Sequence, residues 1–309
     1  RTTHLERHCA NAIRDVGDGR EEHGHGGTRR QAAQPGQPRG QEVAPSRQYR
    51  LLALDLDGTI LSPTLQLDPR DIEAVGRMVR AGITVVACTG RPFPGALPWV
   101  KRLGLETPII CYQGAQIRAQ DGEMILDHGI DHDLAMEVIR FARERDVHVQ
   151  AYSKDDLLVE RDRPEAHEYA DHAGMPIHVV GDLDEAMGPT TPKLVMVAKR
   201  EVLEALLPEV RRLWQGKLNA ATSMPRYLEF TTIESDKAKA LAFLCDQLGI
   251  DQSETVAVGD GRNDVSMISW SGLGVAVDGS EHEVIAAADR TIPRPGHGGI
   301  QQLADVLIK

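Results

Sequence analysis

Short apolar runs that end in turn-forming and polar residues set the rhythm of the chain, at residues 51–54, 83–88, 108–112, 255–258 and Leu273–Val277. Unbroken apolarity over so few residues predicts strands buried on both faces, the kind that lie in a parallel sheet between helices. Helical spacing separates them. Asp68-Pro69 supplies a cap and a first-turn proline, Ile72, Val75, Met78 and Val79 form an apolar stripe, and Gly82 closes the helix. Further helices are predicted from the second run to about Leu103, over about 235–248, after the run at 255–258, and from about Gly299 to the end. Strand and helix alternating at this spacing imply right-handed crossovers and a parallel sheet, hence a doubly wound α/β core.

In the middle of the chain the texture changes. Residues 116–130 alternate around Asp121-Gly122 and predict a hairpin extension. From 131 to about 232 a helix on Leu134, Val138, Phe141 and Ala142 mixes with strands near 147–152, 157–161, Ile177, 194–197, 218–221 and 227–231 and a helix over 202–214. This predicts an independent α+β lobe inserted in the first domain. The expected division is an extension at 1–48, core at 49–130, insertion at 131–232 and core again at 233–309. No internal repeat is visible.

Residues 1–48 are rich in Arg, Gly, Gln and Pro and nearly devoid of large apolar side chains, which predicts disorder. His4, His8, His23 and His25 are spaced along this stretch without a scaffold to make them a metal site. The chain opens at Arg1 without a Met, which suggests a fragment, a processed form or an extended reading frame.

Composition narrows the partners. The net charge is −11, with no basic helix or lysine-rich block, so an extended nucleic-acid or anionic-membrane surface is excluded. A small anionic ligand would need local neutralisation. Cys9, Cys88, Cys111 and Cys245 lie far apart without a C-x-x-C pair and read as free thiols of a reducing cytoplasm. No apolar stretch approaches the roughly 18 residues of a membrane span. The expectation is a soluble, cytoplasmic protein.

The candidate chemistry sits where the runs end. Asp55-Leu56-Asp57-Gly58-Thr59 follows the first run, Thr89-Gly90-Arg91 the second, and Gly259-Asp260-Gly261-Arg262-Asn263-Asp264 the fourth, while Lys237 stands at a helix start. In a parallel sheet all strand ends meet on one edge, which is where such sheets bind ligands. Paired acids fixed by a buried strand suit a hard cation that wants oxygen ligands. Each group also has a plainer reading. Asp55 and Asp57 could be solvated acids at a strand end, Thr89 a helix cap, Arg91 an ion-pair partner, Lys237 a solvated first-turn residue and Asp264 an N-terminal helix acid.

The DLDGT, TGR, lysine and GDGRND elements in this order resemble the four motifs of the haloacid dehalogenase superfamily of phosphatases, and the mid-sized α+β insertion is similar to the cap of its Cof-like subgroup, type IIB. The resemblance covers about residues 50–309. It implies a Rossmann-like core with an inserted α+β cap, and a Mg²⁺-dependent phosphatase acting on small phosphate monoesters such as sugar phosphates or phosphorylated cofactors. Asp55 would attack phosphorus to form an aspartyl-phosphate, and Asp57 would protonate the leaving alkoxide and then deprotonate water. Asp55 and Asp260 would ligate Mg²⁺, with the Asp57 backbone carbonyl as a further ligand and Asp264 placed to orient Lys237 or a metal water. Leu56 N–H, Thr89, Gly90, Lys237 and Asn263 would hold the phosphoryl oxygens. The same residues would serve a phosphotransferase or mutase, and a phospholigand sensor is a third reading, opposed by the intact acid/base pair. The chain departs from the family pattern at Gln113, Ala238 and Asp278-Gly279, which flank the catalytic groups and leave hydrolysis intact as a reading, and at His297-Gly298-Gly299, a peripheral contact; specificity is expected in the cap loops.

Overall fold

The computed structural model describes residues 49–308; the stretch 1–48, with Cys9, His4, His8, His23 and His25, lies outside the described residues. From Leu51 the elements run β1 (Leu51–Leu54), α1 (Pro69–Arg80), β2 (Thr84–Ala87), α2 (Phe93–Arg102), β3 (Ile109–Cys111), β4 (Gln116–Arg118) and β5 (Met124–Asp127). The chain then enters a second lobe: β6 (Ile130–Asp131), α3 (His132–Glu144), β7 (His148–Ser153), β8 (Asp156–Val159), α4 (Pro164–Ala173), β9 (Ile177–Val179), α5 (Leu183–Ala186), β10 (Thr190–Thr191), β11 (Leu194–Val197), α6 (Arg200–Leu213), β12 (Leu218–Met224) and β13 (Tyr227–Thr232). It returns to the first lobe with α7 (Lys237–Leu248), β14 (Thr255–Gly259), α8 (Val265–Trp270), β15 (Leu273–Val277), α9 (His282–Ala287), β16 (Arg290–Ile292) and α10 (Gly299–Leu307).

The first lobe is built on a five-stranded sheet in the order β16-β15-β14-β1-β2, parallel at every junction. Alternate residues of β1 explain why its sequence is apolar throughout. Leu52 and Leu54 pack with Val75 and Met78 of α1 and Leu303 of α10, whereas Leu51 and Ala53 pack with Leu241 and Leu244 of α7 on the opposite face. Each fully buried leucine among them is worth about 1.5–3 kcal/mol, so the strand is held from both sides. The helices begin where local chemistry allows: Asp68 caps α1 by accepting from Arg70 N, and Asp236 caps α7 by accepting from Lys239 N.

One strand departs from the expected sheet. The run at 108–112 meets the parallel ladder at a single parallel bridge and makes its full register antiparallel with β4, in a three-stranded sheet. It lies parallel beside the end of β2 at the Cys88–Ile110 bridge, where Thr89 N–H donates to the Ile110 carbonyl at 2.8 Å and Thr107 Oγ1 to the Val85 carbonyl at 2.7 Å. The hairpin around Asp121-Gly122 therefore captures this strand as its own third member. The elements not read from the sequence include α4, α5, α9, β10 and β16. Helix α4 buries Ala166, Tyr169 and Ala170 among charged neighbours, a stripe too small to stand out.

The second lobe carries a six-stranded sheet in the order β12-β13-β11-β7-β8-β9. Its outer face packs on α3 and α6, where Trp214 meets Phe141 and Phe230 edge to face at 5.4 and 5.9 Å. The other face turns toward the first lobe, and Tyr152 meets Tyr112 there at 5.2 Å. Side-chain bonds tie the lobes together at several points, two of them near the linking segments and the hairpin. Thr232 Oγ1 donates to the His128 carbonyl at 2.7 Å where the linking segments meet, and Arg118 grips Asp155 with two bonds of 2.7 and 3.0 Å.

Candidate active site

Asp55 is the first residue beyond β1, held by its N–H to the Val258 carbonyl at 3.0 Å. Its side chain is 6% exposed and accepts from Lys237 Nζ at 2.7 Å. Lys237 begins α7 on the neighbouring face, and its ammonium donates as well to Asp264. Asp264 closes the short turn Arg262–Asp264 after β14, and its other oxygen accepts from the N–H groups of Asp260 and Gly261 at 3.1 and 2.9 Å. A buried lysine thus bridges two buried aspartates from different strand ends.

Asp260 completes the cluster. Its Oδ1 accepts from Thr59 Oγ1 at 2.9 Å, and carboxylate oxygens of Asp55, Asp260 and Asp264 lie within 4.8 Å of one another. Gly58 is required here twice over. Its φ of +76° is the left-handed region, and a Cβ would overlap the Asp260 carboxylate.

Electrostatics follow from this crowding. Burial, then repulsion from Asp264, raises the Asp55 carboxyl well above the usual carboxylate range, against the pull of Lys237. Burial and Asp264 push Asp260 up to about 6, opposed by the Thr59 hydrogen bond. Burial works against the charge on Lys237, but Asp264 and Asp55 outweigh it and raise its pKa. The Cys88 thiol, just beyond β2, is raised chiefly by burial and is no nucleophile at neutral pH.

Asp57 behaves differently. Its side chain is 47% exposed and engages Arg91 in a two-bond ion pair, Nε to Oδ2 at 2.7 Å and Nη2 to Oδ1 at 2.6 Å. It lies outside the carboxylate group formed by Asp55, Asp260 and Asp264, so any metal contact from Asp57 falls to its backbone.

The remaining candidates line the approach. Thr89 is fully buried; it accepts from Arg91 N at 3.1 Å and does not cap α2, whose N-cap is Pro92. A Cβ on Gly90 would sit 3.6 Å from Asn263 Nδ2 and 3.3 Å from Gln113 Cγ, which brings three loops to one point. The Leu56 side chain is buried, leaving its backbone to serve a ligand. Gly114, with φ +92°, lets the third loop press on the start of α7, because a Cβ there would overlap the Asp236 carbonyl. Thr59 was not singled out in the sequence, although it belongs to the first motif. Lys193 and Glu229, which reach the site from the second lobe, carried no signal at all.

The arrangement joins a buried carboxylate, a fixed cation, an oxygen-only cluster and backbone-rich loops that suit an anion. Comparisons with known proteins agree with it. A family model described as haloacid dehalogenase-like hydrolase matches residues 52–303. Over 286 residues the chain is 27% identical to the phosphatase YwpJ of Bacillus subtilis, covering 84% of this chain and 100% of that one. Over 229 residues it is 26% identical to the HMP-PP phosphatase of Serratia proteamaculans, covering 74% of this chain and 84% of the relative. A solved haloacid dehalogenase-like hydrolase from Bacteroides thetaiotaomicron superposes with a TM-score of 0.78 at 27% identity, over 84% of this chain and 99% of that one.

Proposed function

The chain belongs to the haloacid dehalogenase-like hydrolases and is a phosphatase of that family, and from that premise we propose that it hydrolyses small phosphate monoesters, with Mg²⁺ as its cation and a phosphoryl group carried transiently on Asp55. The observation that carries the reading is the enclosure of Asp55 between Lys237 and the Asp260–Asp264 carboxylates at the strand ends. A carboxylate so buried is costly unless its charge is used.

The donor set fits the cation. Asp55, Asp260 and Asp264 offer only carboxylate oxygens, close together and largely screened from water, which is what a hard divalent ion requires. Asp55 and Asp260 would hold it, since Asp264 already serves Lys237 and two backbone N–H groups. Bound there, Mg²⁺ supplies positive charge that favours ionised Asp55 and neutralises phosphoryl oxygens.

The residues then divide the work. Lys237 fixes the orientation of the Asp55 carboxylate, which attacks phosphorus while the ester oxygen leaves. Asp57 gives that oxygen its proton and afterwards takes one from the water that frees the phosphate. Its pair with Arg91 holds it at the mouth of the site and must open as substrate enters. The Thr89 hydroxyl, the Gly90 and Leu56 N–H groups and the Asn263 side chain receive the phosphoryl oxygens.

The second lobe acts as a cap, and substrates are small phosphorylated metabolites of the cytoplasm. Among the described residues no helix is long and apolar enough to cross a membrane. The test is phosphate release from a panel of phosphometabolites after metal removal, with and without added Mg²⁺. Turnover restored by Mg²⁺ is expected; undiminished turnover in chelator would contradict the cation's role.

A further inference from the structure

The third loop of the site is strained and reaches across to the second lobe. Tyr112 and Gln113 both adopt left-handed backbone, at φ 50° and 59°, a conformation unfavourable for residues with a Cβ. The result is that the Gln113 side chain lies against Gly90 of the phosphate loop at one end, while its Nε2 donates to Glu229 Oε2 at 3.1 Å at the other. Glu229 stands in the middle of β13, in register across β11 on the inward face of the six-stranded sheet. Its Oε1 is 3.4 Å from Lys193 Nζ, and both side chains are nearly enclosed, at 10% and 4% exposure. Lys193 also lies 5.6 Å from the centre of the Tyr152 ring.

A carboxylate one side chain away from a phosphate-binding loop is out of place on electrostatic grounds alone. Lys193 cancels its charge, so the pair adds little net repulsion toward the phosphoryl group. Yet a buried ion pair is seldom more stabilising than apolar residues of the same size, so stability gives little reason for it. What the pair does offer is a strong hydrogen-bond acceptor on the roof, held in one orientation by Lys193 and satisfied in the free enzyme by the Gln113 amide.

We propose that Glu229 selects the leaving group by accepting a hydrogen bond from a hydroxyl on it, with Lys193 as its positioning residue and Gln113 as the partner that yields when the substrate's donor arrives. The inference rests on the phosphatase reading and deepens it. A site built around a polar partner rejects ligands that cannot supply one, because the buried group is then left unmatched. Leaving groups rich in hydroxyls are therefore preferred over alkyl chains of the same length.

The test compares linear polyol phosphates, from glycerol phosphate to hexitol phosphate, each with the alkyl phosphate of the same carbon count. For the best pair in the series the wild-type enzyme should show a kcat/KM ratio of at least about 10-fold in favour of the polyol. Glu229→Gln, which keeps size and weakens the acceptor, should bring that ratio close to unity by lowering only the polyol's kcat/KM. Gln113→Asn, which withdraws the amide but leaves the carboxylate, should keep the ratio within about threefold of wild type, since the acceptor is intact. A wild-type enzyme that turns over alkyl and polyol esters equally would overturn the proposal without any variant. So would equal losses on both substrates in Glu229→Gln, or a ratio that collapses in Gln113→Asn. Failure of wild type to release phosphate from any ester would instead strike at the phosphatase reading itself.

Discussion

Lys237 Nζ lies 2.7 Å from Asp55 Oδ1 and donates also to Asp264, with no solvent reaching its side chain. Two acids from separate strand ends and a lysine from a third element thus form one buried unit. The ammonium offsets one of the two buried negative charges and bonds to both acids, so the unit bears on the fold as well as serving chemistry. Lys237→Met should cost about 3–5 kcal/mol, because it leaves two facing carboxylates buried without a cation. Thermal melting in chelator should show a fall in Tm on the order of 10 °C, together with loss of turnover. An unchanged Tm would mean that the lysine contributes nothing to holding the acids together.

Asp260 gives a pH signature. In the metal-free protein its folded pKa is about 6, above the 3.8 of the free side chain, so its carboxylate is a burden on the fold at neutral pH. As pH falls through 6 the folded state takes up the proton before the unfolded state does, and the burden is relieved. Asp260→Asn carries no such charge. The variant should therefore be more stable than wild type near pH 7.5 in chelator, and this advantage should shrink as pH falls from about 7 toward 4. Melting curves of both proteins across that range decide it: a gap independent of pH would contradict the burial argument.

Asp57 and Asp260 should fail in different ways. A group that protonates the leaving oxygen matters most when that oxygen is a poor leaving group, so Asp57→Asn should slow phosphoenzyme formation from alkyl esters by on the order of 10² to 10⁴ and from an activated aryl phosphate far less. Asp260→Asn should slow both and raise the Mg²⁺ needed, since it removes a ligand and not a proton donor. Single-turnover kinetics isolate this first step from the water attack that follows. Equal losses on both esters would take Asp57 out of the acid role and leave it as the partner of Arg91 alone.

How much of this was legible in the sequence depends on the range of the signal. Leu51–Leu54 and Leu273–Val277 announce themselves because burial on both faces forces every position to be apolar. Asp55, Lys237, Asp260 and Asp264 could be expected to meet because parallel strands end on one edge. The capture of Ile109–Cys111 by its own hairpin was not visible, since an apolar strand of that length fits either sheet. Nor was the Arg91 pair with Asp57, though each residue was noted separately. Glu229 alternates with Leu228 and Phe230, the ordinary pattern of a strand with one wet face. Only the packing of the second lobe on the first reveals that this face is enclosed.

The account stands or falls on the covalent step at Asp55. Acid quenching during turnover of a phosphate ester, followed by borohydride reduction, converts an aspartyl-phosphate to homoserine, which peptide mass spectrometry locates. The prediction is homoserine at position 55, dependent on substrate and on Mg²⁺, and absent from Asp55→Asn, which should retain its fold. Sustained phosphate release with no modification at position 55 under single-turnover conditions, or substantial turnover by Asp55→Asn, would contradict it.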